Sequence, residues 1–349
     1  MAKIRVGLIG YGLSGATFHA PLLQSLDDFE IRAVVTSRRD RVEATLPGAR
    51  VFTSPEELCR DAEVDLVVVA YPHAEHYRIA KLALTHGKHV VVEKPFTLQV
   101  AEADELIQLA ESQNLILSVF HNRRWDGDFL TVKELVENGT LGTISTYEAH
   151  FDRYRPEVRP RWQEENGVGA GTLYNLGPHL IDQALVLFGL PETVYADVLS
   201  QRHPRIATDY FHIVMGYGRM RVVLHSGSLV ANPGPRFAVH GDKGSFLKYG
   251  MDPQEDQLKA GIRPGHPQWG QDDERYYGHL TVADESGLVT KKRSTRPGCY
   301  EVYYSKLARA LCGEGPVPVT ATEARHVIQV IEYALESSQE GRVISCQWP

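Results

Sequence analysis

The first 120 residues alternate between short apolar runs and helical patterns. Five runs are rich in Val, Ile and Leu, namely KIRVGLIG, EIRAVVTS, VDLVVVAY, HVVVEKP and LILSVFHN. None of them alternates cleanly between apolar and polar positions, which is typical of strands buried on both faces. Helical periodicity fills intervening stretches such as AEHYRIAKLALTHG and QVAEADELIQLAESQN. This alternation of strand and helix predicts an α/β fold with a doubly wound parallel sheet.

The pattern changes after residue 122. TISTYEAHFDRYR, TVYADVLSQRH, DYFHIVMGYG and MRVVLHSGSLV predict longer strands with partial alternation, and helical patterns cover 126–138, 172–188 and 321–340. Partial alternation favours an open, mainly antiparallel sheet with one covered face. We therefore predict two domains, residues 1–121 and residues 122–349. The polar stretch 250–298 fits a long excursion, a lid or a surface for subunit contact, and its sequence leaves that choice open.

Composition narrows the class of function. Hydrophobic residues make up 43% and charged residues 23% of the chain, and the net charge is -7, so the basic footprint of nucleic-acid binding is missing. MAKIRVGLIG runs directly into a strand and no apolar run approaches the length of a membrane span, so we expect neither a signal peptide nor membrane association. Four widely spaced cysteines without a C-x-x-C pair favour reduced thiols in the cytoplasm.

The stretch GYGLSG fits the pattern G-x-G-x-x-G, follows the first predicted strand and opens a helix. In this context the first glycine allows the tight turn, the second lets the backbone approach a pyrophosphate, and the third lets helix and strand pack closely. The free N–H groups of the helix N-terminus would meet the phosphates. A glycine-rich turn without a ligand is the competing interpretation. The predicted cofactor-binding residues of this turn are Gly10, Tyr11, Gly12, Leu13, Ser14 and Gly15.

The end of the second predicted strand indicates which dinucleotide binds. NAD sites place an acidic residue about 20 residues after the glycines, where it binds the ribose 2′-hydroxyl. Here the sequence is TSRRDR, and Ser37 and Arg38 occupy that place. A guanidinium can bind a 2′-phosphate, whereas a carboxylate would repel it. We therefore predict NADP in preference to NAD. The alternative is that Arg38 and Arg39 form a solvated turn and that both dinucleotides are accepted.

The motif EKP follows another buried strand, and it contains Glu93 and Lys94. Ligands of doubly wound sheets bind outside the carboxyl ends of the strands, so Lys94 is expected near the nicotinamide. A lysine beside a bound hydroxyl or carbonyl stabilises negative charge in the transition state. A surface lysine paired with Glu93 is the competing interpretation.

The stretch GTLYNLGPHLIDQ contains the candidate proton carrier, His179, whose ordinary pKa lies near neutrality. Spacings of four and three residues place Asn175 and Asp182 on the same helix face as His179. Proline suits the first turn of a helix, so Pro178 predicts that the regular helix begins near Gly177 and leaves Asn175 in the preceding loop. Most isolated histidines are structural, and spacing alone does not make His179 catalytic.

A metal ion is not expected at this site. His73 with His76, or His179 with Asp182, could supply ligands. However, the sequence contains neither H-E-x-x-H nor a Cys/His cluster, and 15 scattered histidines produce such pairs by chance.

Taken together, GYGLSG, EKP and NLGPHLIDQ resemble the Gfo/Idh/MocA family of oxidoreductases, in the right order and over essentially the whole chain. VVVEKP, HNRRWDGDFLT, YRPEVRPRW, DYFH, the QEDQLKAG region and the turn TSRR are similar to the NADP-dependent scyllo-inositol dehydrogenases within that family. The resemblance implies an N-terminal Rossmann domain and a C-terminal α/β domain that binds substrate and mediates oligomerisation.

The resemblance also implies roles for individual residues. Lys94 and His179 match the catalytic lysine and histidine, and Asp182 matches an aspartate that binds substrate hydroxyls. Asn175 stands where the family has an aspartate that orients the histidine, so an acceptor oxygen is kept but the negative charge is lost. The further residues implied to contact substrate are Arg123, Arg124, Tyr154 and Trp162, and those implied to contact the cofactor are Pro72, His76 and Glu93.

The function implied by the resemblance is hydride transfer between NADP and a ring carbon of a cyclic polyol, with scyllo-inositol and scyllo-inosose as the expected pair. The implied assembly is a homodimer or homotetramer formed through the C-terminal sheet. One alternative is an aldose, a ketose or a biliverdin-like carbonyl as substrate. Another is an NADP-binding sensor that has lost turnover, which Asn175 favours and the presence of both Lys94 and His179 opposes. A purely structural oligomerisation module explains none of the motifs.

Overall fold

The computed structural model describes residues 3–160, 162–203, 206–285 and 287–348. The chain forms two compact units. Unit 1 contains Met1–Trp125, Gln254–Trp269 and Cys299–Arg325. Unit 2 contains Asp126–Pro253, Gly270–Gly298 and His326–Pro349.

A six-stranded parallel sheet forms the centre of unit 1, in the order β3-β2-β1-β4-β5-β6. This is the order of the doubly wound sheets that bind dinucleotides, and it confirms the predicted fold class. The central strands are fully buried because helices cover both faces, as their unbroken apolar runs predict. The strands are β1 (Ile4–Ile9), β2 (Phe29–Val35), β3 (Arg50–Phe52), β4 (Leu66–Val69), β5 (His89–Val92) and β6 (Leu117–Val119).

Short helices connect these strands. The predicted helices around AEHYRIAKLALTHG and QVAEADELIQLAESQN correspond to α4 (His76–Thr85) and α5 (Val100–Ser112). Sequence analysis missed β3, α2 and α3, each of which has at most seven residues and is too short to display a period. The elements are a π-helical turn (Ser14–His19), α1 (Ala20–Gln24), α2 (Arg39–Thr45), α3 (Pro55–Arg60), a 3-10 turn (His73–Glu75), α4 (His76–Thr85), α5 (Val100–Ser112) and a 3-10 turn (Asn122–Trp125).

Two later helices also belong to unit 1, namely α8 (Gln254–Lys259) and α9 (Glu301–Leu311). The compact units therefore differ from the two consecutive domains that we predicted with a boundary after residue 121. Aromatic packing explains the difference: Tyr303 and Tyr304 on α9 are fully buried, and their ring centroids lie 4.9 and 5.7 Å from that of Phe120. Large aromatic side chains contribute strongly to core stability, and they bring this segment back to the parallel sheet.

Unit 2 contains a nine-stranded sheet in the order β14-β13-β12-β11-β7-β10-β9-β8-β15. Neighbouring strands are antiparallel except for the parallel pair β7 and β10, which confirms the predicted mainly antiparallel sheet. The strands are β7 (Ile144–His150), β8 (Thr193–Leu199), β9 (Tyr210–Tyr217), β10 (Met220–Gly227), β11 (Phe237–Gly241), β12 (Gly244–Lys248), β13 (Gly278–Asp284), β14 (Gly287–Arg293) and β15 (Ile344–Ser345).

Helices cover one face of this sheet, and the other face is open. Helix α7 (Thr172–Phe188) packs on β9 and β10 and on α6 (Gly127–Glu137), while Ser337 of α10 (Ala321–Glu340) hydrogen-bonds β8. Alternate residues of β7 follow this division, because Tyr147 and Ala149 are fully buried whereas Glu148 and His150 are partly exposed. Within the polar stretch 250–298, β13 and β14 form a hairpin that extends the sheet.

No helix among the described residues is both long and apolar enough to cross a membrane. The four cysteines are free thiols.

Candidate active site

The glycine-rich turn follows β1 and leads into the π-helical turn. Gly10 has a φ of 102°, and a Cβ on it would lie 2.1 Å from the carbonyl oxygen of Ala70. A Cβ on Gly15 would lie 2.1 Å from the carbonyl oxygen of Gly10. Gly12 is different, since a Cβ there would meet no atom of the described residues within 4 Å. The first and third glycines are thus required by the fold, while the second leaves the open space that an approaching pyrophosphate needs. The turn fits a dinucleotide.

A network of side chains connects this turn to the end of β5. The Ser14 hydroxyl donates a hydrogen bond to Glu93, whose other carboxylate oxygen accepts the backbone N–H of Lys94 at 3.0 Å. His19 lies between Glu93 and Tyr304, with Nε2 3.1 Å from the Glu93 carboxylate and Nδ1 2.6 Å from the Tyr304 hydroxyl. Because a carboxylate only accepts, Nε2 carries the proton that is donated to Glu93. Sequence analysis missed His19 and Tyr304, which are far apart along the chain.

This network fixes the charge of Glu93. Burial alone would raise the pKa of its carboxyl group. The hydrogen bond from His19 and the charge on its ring, the nearby Lys94 charge and the hydrogen bond from Ser14 outweigh burial and lower the pKa from 4.5 to about 2. Glu93 is therefore ionised at neutral pH, and its carboxylate holds Ser14, His19 and the Lys94 backbone amide. The contacts favour a positioning role for Glu93.

The loop after β4 contains Pro72 and His76. Pro72 is exposed and precedes the 3-10 turn, whereas His76 is fully buried. The two ring nitrogens of His76 lie 2.8 Å from the carbonyl oxygen of Tyr71 and 2.7 Å from that of Pro95. Burial lowers the pKa of His76, and the two carbonyl contacts oppose that shift. His76 thus ties this loop to the EKP segment, while Pro72 faces outward beside it.

Ser37 and Arg38 are both exposed where the chain leaves β2. The Arg38 backbone N–H donates to the Thr36 hydroxyl at 3.1 Å, which holds this corner. A further cation, Arg41 near the start of α2, places its guanidinium carbon 5.7 Å from the ring centroid of Tyr11 in the glycine-rich turn. Arg41 was not among the predicted cofactor residues, although it belongs to the basic run RRDR that follows Ser37. The corner is positively charged and exposed, as binding of a 2′-phosphate requires.

Arg123 and Arg124 occupy the 3-10 turn after β6, and each has a carboxylate partner. An Nη atom of Arg123 lies 2.8 Å from Glu255 of α8, and an Nη atom of Arg124 lies 2.9 Å from Glu323 of α10. Arg123 is also largely buried. These ion pairs join three segments of unit 1, so the structure favours a supporting role where the family resemblance implied substrate binding.

Helix α7 corrects one prediction about the candidate catalytic residues. The helix begins at Thr172 and continues through Pro178, so Asn175 lies inside it and not in a preceding loop. Proline inside a helix costs about 3 kcal/mol. Burial of Leu180 and Ile181, both fully buried, offsets this cost, because each such side chain contributes about 1.5–3 kcal/mol.

One continuous helix places Asn175, His179 and Asp182 on a single face, at the spacing that sequence analysis predicted. His179 and Asp182 are buried, with 6% and 2% of their surface exposed. The ring of Phe151 packs edge-on against His179, with 6.1 Å between the ring centroids. The helix therefore holds His179 in a restricted, weakly solvated position.

Tyr154 and Trp162 lie in the segment between β7 and α7. Tyr154 is 61% exposed and forms an isolated backbone bridge with Leu229, and Trp162 is 38% exposed. Both side chains are accessible to a ligand. Lys94 and the cofactor residues belong to unit 1, whereas Asn175, His179, Asp182, Tyr154 and Trp162 belong to unit 2.

Most of the chain matches one oxidoreductase family. Residues 4–121 match the model described as "Oxidoreductase family, NAD-binding Rossmann fold" (GFO_IDH_MocA). Residues 133–346 match "Oxidoreductase family, C-terminal alpha/beta domain" (GFO_IDH_MocA_C). The chain belongs to the Gfo/Idh/MocA family. Membership confirms the predicted resemblance and the class of enzyme.

Individual relatives extend over most of the chain. The Bacillus subtilis (strain 168) protein named scyllo-inositol 2-dehydrogenase (NADP(+)) IolW is 45% identical over 98% of this chain and 95% of its own length. The myo-inositol 2-dehydrogenase of Thermotoga maritima is 31% identical over 70% of this chain and 75% of its own. The solved structure of yvaA from Bacillus subtilis has a TM-score of 0.96 and 44% identity, covering 99% of both chains.

Proposed function

We propose that the protein catalyses the NADP-dependent, reversible oxidation of a ring hydroxyl of a cyclic polyol, with scyllo-inositol and scyllo-inosose as the substrate pair. The observation that carries this proposal is the alignment of Asn175, His179 and Asp182 along one face of α7, in a chain 45% identical to the enzyme named scyllo-inositol 2-dehydrogenase (NADP(+)). NADP, when bound, supplies or accepts the hydride. The chain itself supplies binding, orientation and proton transfer.

His179 is the proposed proton carrier. Its imidazole takes the hydroxyl proton during oxidation and returns it during reduction, the role that histidine serves most often in general acid–base catalysis. Asn175, one helical turn earlier, orients the ring or the reacting hydroxyl through its amide oxygen. An amide cannot stabilise a charged imidazolium as a carboxylate would, so the enzyme is active with an altered pH dependence.

Lys94 is the proposed electrostatic partner of the reacting oxygen. Its ammonium group stabilises the negative charge that develops there in the transition state. Glu93 supports this role, because its carboxylate accepts the Lys94 backbone N–H and is itself fixed by Ser14 and His19. We infer that Glu93 positions Lys94 and the glycine-rich turn together.

Asp182 is the proposed ligand of the remaining hydroxyls, and Tyr154 and Trp162 line the same substrate region. Fixing several hydroxyls decides which ring carbon is presented for reaction. We assign Arg123 and Arg124 a supporting role through their pairs with Glu255 and Glu323.

NADP is preferred to NAD in this proposal because Ser37 and Arg38 replace the acidic residue of NAD sites. A guanidinium binds a 2′-phosphate, and no repelling carboxylate stands in that place. The glycine-rich turn, from Gly10 to Gly15, holds the pyrophosphate, and Pro72 borders the cofactor on the loop that His76 anchors.

We also propose that the open sheet face of unit 2 mediates a homodimer or homotetramer. This face exposes apolar side chains, including Tyr195 at 40% and Leu199 at 37% exposure. Apolar side chains exposed together often mark a protein interface. Light scattering coupled to size-exclusion chromatography gives the number of chains, and a monomer would contradict this part of the proposal.

The test is reduction of NADP⁺ by the purified protein with scyllo-inositol, myo-inositol and several aldoses, repeated with NAD⁺. Turnover of scyllo-inositol with NADP⁺, at higher kcat/KM than any aldose, is expected. Faster turnover of an aldose would indicate that the substrate is a sugar and not an inositol. Tight NADP binding without turnover on any of these compounds would favour the alternative that Asn175 supports, an NADP-binding sensor.

A further inference from the structure

The open face of the nine-stranded sheet carries a row of three histidines on adjacent strands. His225 on β10 pairs in register with His150 on β7 and with His212 on β9. Their rings are close, with centroids 5.5 Å apart for His150 and His225 and 5.8 Å for His212 and His225. Asp152 follows β7 and adds a carboxylate to the row. All four residues belong to unit 2 and none takes part in the proposed oxidoreductase chemistry.

Two of these histidines and the aspartate converge on one point. Nδ1 of His225 lies 2.8 Å from one oxygen of Asp152, and Nδ1 of His150 lies 3.4 Å from the other. The three ligand atoms lie within 4.8 Å of one another. Ligands of a tetrahedral zinc ion, each about 2.0–2.1 Å from the metal, lie roughly 3.4 Å apart. The observed spacing therefore approaches that of three zinc ligands.

The hydrogen bonding of His225 is unusual for an ordinary polar pair. Its Nδ1 atom is buried, and within the described ranges it makes no hydrogen bond of normal geometry, although the Asp152 oxygen is only 2.8 Å away. A histidine nitrogen that makes no well-aligned hydrogen bond can serve as a metal ligand. In the single chain, the side chains of His150 and His225 are 22% and 17% exposed.

Neighbouring groups hold the ligands as they do in metal sites. The backbone N–H of Gly227 donates to Asp152 at 2.9 Å and fixes the carboxylate. Nε2 of His150, the nitrogen turned away from Asp152, lies 3.5 Å from the Glu148 carboxylate. Histidines that bind metals through one nitrogen commonly direct the other at a carboxylate, which orients the ring.

We propose that His150, Asp152 and His225 form a zinc site on the open sheet face. Two imidazoles and a carboxylate are ligands that zinc accepts, and three protein ligands leave a fourth position for water or an external donor. The site is separate from the residue pairs considered in the sequence. Its ligands come from β7, from the segment just after β7 and from β10, so the full set cannot be recognised from one short stretch of sequence.

The test is calorimetric titration of the chelator-treated, tag-free full chain with zinc chloride. The expected result is one zinc ion per chain, with affinity reduced at least tenfold in Asp152→Asn and in His225→Ala. His240→Ala is the matched control, because His240 lies on the neighbouring strand β11 and bonds Ser245 instead. X-ray absorption of the loaded protein should give zinc–nitrogen and zinc–oxygen distances of about 2.0–2.2 Å.

Two results would overturn the proposal. One is the absence of stoichiometric binding to the wild-type chain. The other is an equal loss of affinity in the control and the ligand variants, which would mean that zinc binds to scattered surface histidines. A melting temperature measured without zinc identifies any variant that fails to fold. In that case His150→Gln, which keeps a polar side chain, takes the place of the unfolded variant in the comparison.

Discussion

The glycine-rich turn of unit 1 and helix α7 of unit 2 tolerate sequence change to different degrees. In the turn, backbone atoms lie 2.1 Å from where a Cβ of Gly10 or Gly15 would be, so the fold itself excludes other residues. In α7, the helix continues through Pro178 and contains Asn175, at the position where the family resemblance implies an aspartate. Gly10 and Gly15 of the turn cannot be replaced, because neighbouring backbone atoms occupy the space that a side chain would need. A helix face made of side chains can accept a residue of similar shape, which alters the chemistry of the site and leaves the fold intact.

The largest expected effect concerns α7. His179→Ala should lower kcat for scyllo-inositol oxidation by about 10²–10⁴-fold, the range typical of a lost general base. The affinity for NADP, measured by fluorescence titration, should stay within about twofold, because the cofactor residues belong to unit 1. A variant with near wild-type kcat would remove His179 from the chemistry.

The turn offers a matched pair of variants for comparison. Gly10→Ala should destabilise the protein by about 3 kcal/mol, since it combines a left-handed φ with a clash against backbone. Gly12→Ala meets open space, so its free energy of unfolding should change by less than about 0.5 kcal/mol. It should nevertheless weaken NADP binding at least tenfold. Urea unfolding and NADP titration separate the two effects, and equal destabilisation by both variants would contradict the distinct roles.

Glu93 gives the turn a pH dependence. Its folded pKa of about 2 lies below the ordinary 4.5, so its contribution to stability is complete above pH 4.5 and is lost as the pH falls through 2. The contribution amounts to roughly 3 kcal/mol. The difference in free energy of unfolding between wild type and Glu93→Gln should therefore shrink as the pH is lowered from 5 toward 2. Glu111→Gln, at an exposed position of α5, is the control. A difference that does not vary with pH would contradict the assigned pKa.

Cofactor choice tests the positive corner beside the turn. Arg38→Ala should reduce the preference for NADP⁺ over NAD⁺ about tenfold in kcat/KM, as expected for the loss of a hydrogen bond between charged groups. Arg39→Ala is the matched control, because Arg39 pairs with Glu43 at 3.5 Å along α2. If both variants changed the preference equally, the effect would come from net charge and not from a specific contact.

The smallest expected effect is a change in the pH profile caused by a substitution of Asn175. Asn175→Asp places a carboxylate one turn from His179 and should raise the pKa of the imidazole by about one unit. Oxidation needs the neutral ring, so the acidic limb of the profile of kcat/KM against pH should move about one unit higher. An unchanged profile would show that residue 175 does not interact with the proton carrier.

The sequence predicted the elements whose patterns are long and unambiguous. The buried runs of β1, β4 and β5 and the helices α5, α6 and α10 lie close to where their patterns place them. The fold class followed from the same patterns, because parallel strands in α/β proteins are buried on both faces and have near-continuous apolar sequences.

Features that depend on distant contacts were not predictable. The start of α7 was misplaced because Pro178 is a local signal that tertiary burial overrides. The contact between His19 and Tyr304 joins residues 285 positions apart, and the convergence of His150 and His225 depends on strand register. Local propensity contains no information about either.

The central claim of the proposed function is that Lys94 and His179 both take part in the oxidation of the polyol. A double-mutant cycle in kcat/KM for scyllo-inositol oxidation, with Lys94→Ala, His179→Ala and the combined variant, tests it most directly. Residues that act as one catalytic unit are strongly non-additive, so the double variant should lose little more activity than the worse single variant. Losses that multiply, or a single variant that retains full activity, would contradict the claim.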